Sequence, residues 1–235
     1  MNLEMKNYEE KIEKIIIESF EEIRTIKKRA TSIENFENER NFSHIIFPKY
    51  FRKHEKEIRY SEQELRYVFL NKLQKENLLF SIETPTKFRY RLKEEEEPKV
   101  LFNNESSEDN FQSAMIDTTL YDLKTNIISH IEFKYGQCPV FPVQKDFLKL
   151  ICELDDSDRN YFVHYFSSSD KKTKNAICDK YGQALNAIKE TNENIIELNK
   201  RLEKVTVFVM FIGLNEILKF SLNDRDFANK IIKVF

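Results

Sequence analysis

Ala114-Met115-Ile116-Asp117-Thr118-Thr119-Leu120-Tyr121-Asp122 and, after a short polar break, Ile127-Ile128-Ser129-His130-Ile131-Glu132-Phe133-Lys134-Tyr135-Gly136 set the architecture of this chain. Both segments have the alternation of strands, in which successive side chains point to opposite faces. In the second, Ile131, Phe133 and Tyr135 share one face, and His130, Glu132 and Lys134 share the other. Lys124-Thr125-Asn126 is the only polar interruption, so the turn belongs near Lys124-Thr125. An antiparallel hairpin centred there sets Asp117 directly opposite Glu132. Opposed Cβ atoms lie about 4.5–5.5 Å apart, and like charges so placed destabilise the pair. A cation between them removes the objection. Oxygen-only ligands of this kind suit Mg²⁺, which takes one or two carboxylates and keeps several waters. A slip of one residue would send the two carboxylates to opposite faces, so the chemistry depends on register. Charges alternating along a strand are commonly a solvated face; here the apolar flanks on both strands and the Glu–Lys pair two apart point to a central hairpin.

On the N-terminal side, residues 2–30 read as a helix, with Ile12, Ile15, Ile16, Ile23 and Ile26 near a 3.6-residue period. Residues 31–60 are mixed; Pro48 among Phe47, Tyr50 and Phe51 suggests an irregular packed segment. A second helix starts at Ser61 and carries Leu65, Val68, Phe69 and Leu73 on one stripe. Leu79–Lys93 is strand-like, and Glu94–Asn110 is a polar, solvated loop. Beyond the hairpin come a short helix (Val143–Leu154), a strand (Tyr161–Phe166), a long helix (Lys171–Lys204), an apolar strand (Val205–Ile212) and an expected terminal helix. Helix, three strands, helix, strand between residues 61 and 167 is an α/β order with a partly antiparallel sheet. The chain divides into an N-terminal helical segment (1–60), a core (61–170) and a C-terminal segment (171–235) packed on the core or making a dimer contact.

Composition closes several routes. The chain has 235 residues, enough for one large domain or two small ones, and only three glycines against an average usage of about 7%. Gly136, Gly182 and Gly213 stand far apart, so no Gly-rich loop can cradle a nucleotide pyrophosphate. Four histidines show no paired spacing for zinc, and no GxSxG marks a serine hydrolase. Cys138, Cys152 and Cys178 are odd in number and form no CxxC, as expected of reduced thiols in a cytoplasmic protein. Met1–Tyr8 carries acids and no apolar core of a secretory leader, and the run Val205 to Leu214 is about half a membrane span, so no membrane partner is expected. With 38 Lys+Arg against 40 Asp+Glu the net charge is −2, which argues against a nucleic-acid coat and leaves room for a local basic groove.

Asp117, fourteen residues and then Glu132-Phe133-Lys134 resemble the motif of the PD-(D/E)XK nuclease superfamily, and the element order resembles its core. The similarity covers residues 61–167, with Ile116 where the family name has proline. The resemblance implies a restriction-endonuclease-like mixed sheet, an αβββαβ core flanked by helices, with additional N-terminal and long C-terminal helices. It implies a metal-dependent nuclease acting on DNA, with roles in restriction or phage defence. Asp117, Glu132 and the Phe133 backbone carbonyl would hold Mg²⁺, with Mn²⁺ able to substitute. Lys134 would position the attacking water and balance charge, and an acid on the helix after Ser61 would orient a water at the metal. Ser61-Glu62-Gln63-Glu64 is also a capping box, in which Glu64 bonds back to the helix start. Glu62 lies near the apolar stripe and Glu64 well off it, so Glu62 is favoured as the site acid.

Substrate contact would fall to Lys87, Arg89 and Arg91 in Lys87-Phe88-Arg89-Tyr90-Arg91-Leu92-Lys93, a basic stripe able to follow phosphates or, equally, a sheet face balanced by Glu94–Glu97. Gln144 either touches substrate or lies at the surface, the more ordinary place for a glutamine. Ile177, Tyr181, Ala184, Ile188, Thr191, Ile195, Leu198 and Leu202 follow the 4-3 spacing of a coiled-coil seam. The N-terminal helix would cover that seam as well as a second copy would; a homodimer is favoured, since two sites suit cutting two strands. RNA as substrate and a non-catalytic interaction protein with the same fold remain the alternatives.

Overall fold

The computed structural model describes residues 3–31, 45, 47, 59–93, 98–101, 111–155, 157, 159–167, 170–191, 198–224 and 226–234. The first isoleucine stripe folds as the helix its spacing predicts, α1 (Leu3–Thr31), with Ile12, Ile15, Ile16, Ile23 and Ile26 buried. The helix begun by Ser61 is α2 (Glu62–Lys75), and the long strand-like run is β1 (Leu79–Arg91). A short β2 (Lys99–Leu101), absent from the sequence expectation, pairs antiparallel with the end of β1. The hairpin forms as β3 (Gln112–Tyr121) and β4 (Ile127–Tyr135), followed by α3 (Val140–Cys152) and β5 (Asn160–Phe166). Two helices, α4 (Lys171–Thr191) and α5 (Leu198–Glu203), then lead into β6 (Val205–Phe211), β7 (Glu216–Ser221) and β8 (Ile231–Val234).

Among the described residues the eight strands form one mixed sheet in the order β2-β1-β3-β4-β5-β6-β7-β8. The β4–β5 and β5–β6 pairs are parallel and the others antiparallel. The helices cover both faces, as a parallel sheet centre requires. Alternation sorts the residues: Ile131, Phe133, Tyr161, Val163 and Tyr165 pack in the core that α1 and α2 cover. Phe162 and Phe166 join the core beneath α3 and α4, with Phe147, Tyr181 and Val207. This is the α/β class with a helix-flanked mixed sheet.

Two expectations are corrected. In place of the terminal helix come β7, which pairs antiparallel with the expected strand β6, a turn of 3-10 helix at Phe227–Asn229 and β8. The polypeptide reverses at Ile212–Asn215, where Asn215 adopts φ 56°, and the six residues of β7 are too short for a helical period to develop. The long helix is described as α4 and α5, residues 192–197, including Ile195, lying outside the described set. The 4-3 seam is neither a dimer contact nor covered by α1: Ile177, Tyr181, Ala184, Ile188 and Leu202 are buried in this chain's own core with α3. A 4-3 spacing records only that one helix face is apolar, and here the neighbouring helix satisfies it. Of the irregular segment 31–60, only Thr31, Ile45, Phe47, Arg59 and Tyr60 are described, and of the polar loop 94–110 only 98–101.

Ile188→Ala should therefore destabilise the chain by about 2–5 kcal/mol through a core cavity, read by urea unfolding, while its elution volume in size exclusion stays that of wild type. A shifted volume at unchanged stability would assign the seam to a second copy.

Candidate active site

The hairpin register expected from the turn is the one that forms. Thr118 pairs with Ile131, Thr119 with His130 and Leu120 with Ser129, and a bulge follows before Tyr121–Ile127. The turn itself is closed by Asp122, whose carboxylate accepts from the Lys124 and Asn126 N–H groups at 2.8 Å each. Thr118–Ile131 is the last rung on the other side. Continuing the register sets Asp117 opposite Glu132, but here the strands fork. The Phe133 N–H, instead of donating to a strand carbonyl, donates to Asp117 Oδ2 at 2.8 Å. Asp117 Oδ1 stands 3.5 Å from Arg66 Nη1, and Arg66 Nη2 donates to the Asp117 carbonyl at 2.6 Å, so α2 braces the same fork.

Glu64 is spent on the helix cap: Ser61 N–H donates to Glu64 Oε2 at 3.1 Å, and the Ser61 hydroxyl reaches the same oxygen. Tyr165 OH donates to the Ser61 carbonyl at 2.6 Å, fixing the start of α2 over β5. Glu62, one residue into the helix, is half-buried and senses the site: burial raises its pKa above the ordinary value, Asp117 and Asp146 raise it further, and Lys134 and Arg66 pull it back.

Glu132 is 2% exposed. Burial pushes its carboxyl well above the ordinary value, with Asp146 and Asp117 adding to the shift and Lys149 opposing it. Lys149 Nζ donates to Glu132 Oε1 and, at 2.9 Å, to the Met115 carbonyl, and it pairs with Asp146 Oδ1 at 3.1 Å. The three ammonium protons thus meet β4, β3 and α3. Asp146 Oδ2 lies 2.6 Å from Lys134 Nζ. Burial alone would lower the Lys134 pKa, but the carboxylates of Asp146, Glu62 and Glu132 together outweigh it and hold the ammonium charged. Asp146 is 1% exposed, and burial, which would raise its pKa, is outweighed by Lys149 and Lys134, so it stays a carboxylate.

Asp146 and Lys149 were missed in the sequence. Their signal is an Asp-x-x-Lys step inside the apolar run Val143–Leu154, one helical turn apart on the face that meets β4. Gln144 is 5% exposed rather than at the surface, and its amide nitrogen makes no hydrogen bond among the described residues. The basic stripe is not gathered into this site. Phe88 and Tyr90 turn into the core beneath α3, which directs Lys87, Arg89 and Arg91 away from it. Arg89 donates to the Phe111 carbonyl, and the Arg91 guanidinium lies 5.5 Å from the Phe111 ring centroid.

Beside Lys134 on β5, His164 is fully buried. A carbonyl only accepts, so Nε2–H donates to Gly136 O at 2.8 Å and Nδ1 accepts from Tyr181 OH at 2.8 Å. Burial, opposed by the Gly136 carbonyl, lowers the ring's pKa to about 3.

Among the described residues no group of three or more His, Cys, Asp or Glu side chains is arranged to hold a metal ion. A magnesium site needs fewer protein ligands. The two carboxylates of Asp117 and Glu132, with the Phe133 carbonyl, are hard oxygens that fit it in chemistry, and Lys149 engages one Glu132 oxygen, leaving the carboxylate's second oxygen to be shared. No helix among the described residues is long and apolar enough to cross a membrane, and the three cysteines are unbridged. No family model, curated protein or solved structure matches the chain, so the geometry carries the functional reading.

The neutral His164 sets a pH dependence. Its folded pKa lies below the unfolded value of about 6.5, so its contribution is whole above about pH 6.5 and falls as pH drops toward the folded pKa. At about pH 5 the loss amounts to about 2 kcal/mol. Urea unfolding at about pH 7.5 and about pH 5 should show that difference in wild type and a smaller one in His164→Gln; equal differences would refute it.

Proposed function

We propose that this chain is a metal-dependent nuclease that hydrolyses phosphodiester bonds of DNA. One observation carries the reading: Glu62 from the start of α2 senses Asp117 and Lys134, while Asp117 bonds to the backbone of the strand that bears Glu132 and Lys134. Asp117 meets the strand that bears Glu132 and Lys134 at the point where the strands part, and Glu62 at the start of α2 lies within electrostatic reach of Asp117 and Lys134. Asp117, Glu132 and the Phe133 carbonyl would hold a magnesium ion, or manganese in its place, which would supply a Lewis acid for the scissile phosphate. The chain's own groups do the rest. Lys134 presents a fixed positive charge where negative charge builds in the transition state, and it positions the attacking water. Glu62 accepts a hydrogen bond from that water and orients it.

A second reading has one observation in its favour. Glu132 is enclosed with its charge already met by Lys149, an arrangement that a non-catalytic interaction protein of the same fold would also carry. Incubation with supercoiled, linear and single-stranded DNA and with RNA, in Mg²⁺, Mn²⁺ or EDTA, separates the two. Cleavage of DNA should require metal, and Asp117→Asn and Lys134→Ala should each lower the rate about a hundredfold or more with the chain still folded by circular dichroism. Metal-dependent cleavage of RNA alone would change the substrate. A folded wild type that cuts nothing would support the interaction protein.

A further inference from the structure

We propose that Asp146 and Lys149 of α3 are positioning residues for the reaction: Asp146 fixes the Lys134 ammonium, and Lys149 fixes the Glu132 carboxylate. The inference rests on the nuclease reading and names two residues that the resemblance does not supply. The pairing is complementary step by step. Along β4 the charges run Glu132 then Lys134; along α3 they run Asp146 then Lys149, and each meets its opposite. Asp146 joins the two pairs, with Lys134 at 2.6 Å and Lys149 at 3.1 Å. Both α3 residues lie in an otherwise apolar face with Phe147, Leu150 and Ile151 fully buried around them.

Packing alone does not explain these charges. A buried ion pair is commonly no more stabilising than apolar side chains of the same volume, so the fold would be served as well by a leucine and a methionine. What the charges do is remove freedom. A lysine on a flexible four-carbon stem carries much rotamer entropy, and the Asp146 carboxylate holds Lys134 Nζ in one place before substrate arrives. The Lys149 ammonium, anchored also on the Met115 carbonyl of β3, holds Glu132 across the fork in the same way. Preorganised charge of this sort acts without reorganisation at the moment of reaction.

The test uses the full chain and supercoiled plasmid DNA with Mg²⁺. Asp146→Asn should lower kcat at least about tenfold with KM within about twofold of wild type, and in a Lys134→Ala background the same change should cost less than about twofold. Asp146→Glu keeps the buried charge but moves it by one methylene, so it should fold as wild type and fall between wild type and Asp146→Asn in kcat; if Asp146→Asn does not fold, this variant decides. Mn²⁺ affinity by titration calorimetry should stay within about twofold of wild type in both. Unchanged kcat, a loss confined to KM, or a loss of equal size in the Lys134→Ala background overturns the positioning role while the nuclease reading stands. A folded wild type that binds no Mn²⁺ and cuts no DNA overturns both.

Discussion

A carboxylate cannot be carried out of water beneath a helix unless a cation goes with it, because an isolated buried charge costs far more than packing returns. Glu132 is such a carboxylate, and Lys149 is its cation. The requirement fixes more than one contact. Lys149 must rise from α3 at the level of Glu132, which sets α3 along β4; Asp146, one turn earlier, then falls at the level of Lys134. The apolar side chains on either side complete the arrangement, with Phe147 edge-on to Phe162 and within a tilted contact of Tyr181. Given Glu132 on β4, its need for a cation fixes the level of Lys149, and apolar packing decides how tightly α3 is held.

The fork between β3 and β4 has a related logic. Where two strands part, a backbone N–H loses its ladder partner and must find another. The Phe133 N–H finds the Asp117 carboxylate, so an acid at this point of β3 is a structural solution before it is a chemical one. Arg66 holds the other side of the same acid and ties it to α2 and, through Glu83, to β1. Local satisfaction of the backbone thereby brings carboxylate, arginine and the Glu132–Lys134 strand to one place.

Much of this was legible in the residues. The alternation of β4 gave its two faces, and the single polar interruption at Lys124-Thr125-Asn126 gave the register, since a short turn leaves little freedom in how the strands pair. The capping box separated Glu64 from Glu62 because Glu64 sits at the spacing that reaches back to Ser61. What was not legible depended on partners distant in the chain. The seam of α4 was visible as a stripe, but a stripe does not say whether α1, α3 or another molecule covers it. The strand β7 was hidden because Glu216–Ser221 is too short for either period to show, and its signal lay in the turn residues Gly213 and Asn215. Asp146 and Lys149 have only an Asp-x-x-Lys spacing to mark them, and it gains meaning once β4 lies beneath α3.

Glu62 shows how far the site depends on packing outside it. The residue projects from the first turn of α2, and that turn is set by a hydrogen bond from Tyr165 on β5 to the Ser61 carbonyl. Tyr165 is in turn packed at 4.9 Å against Tyr135, the residue after Lys134, and Tyr135 leans on Tyr60, next to Ser61. A closed aromatic circuit therefore links the strand carrying the lysine to the helix carrying the acid. The two charged groups come from separate elements, and the rings that link those elements lie on the opposite face of the sheet from Asp146. Lys134 is steered from one face by a carboxylate, and Glu62 from the other by tyrosines, so the charged cluster is framed on both sides by groups outside it.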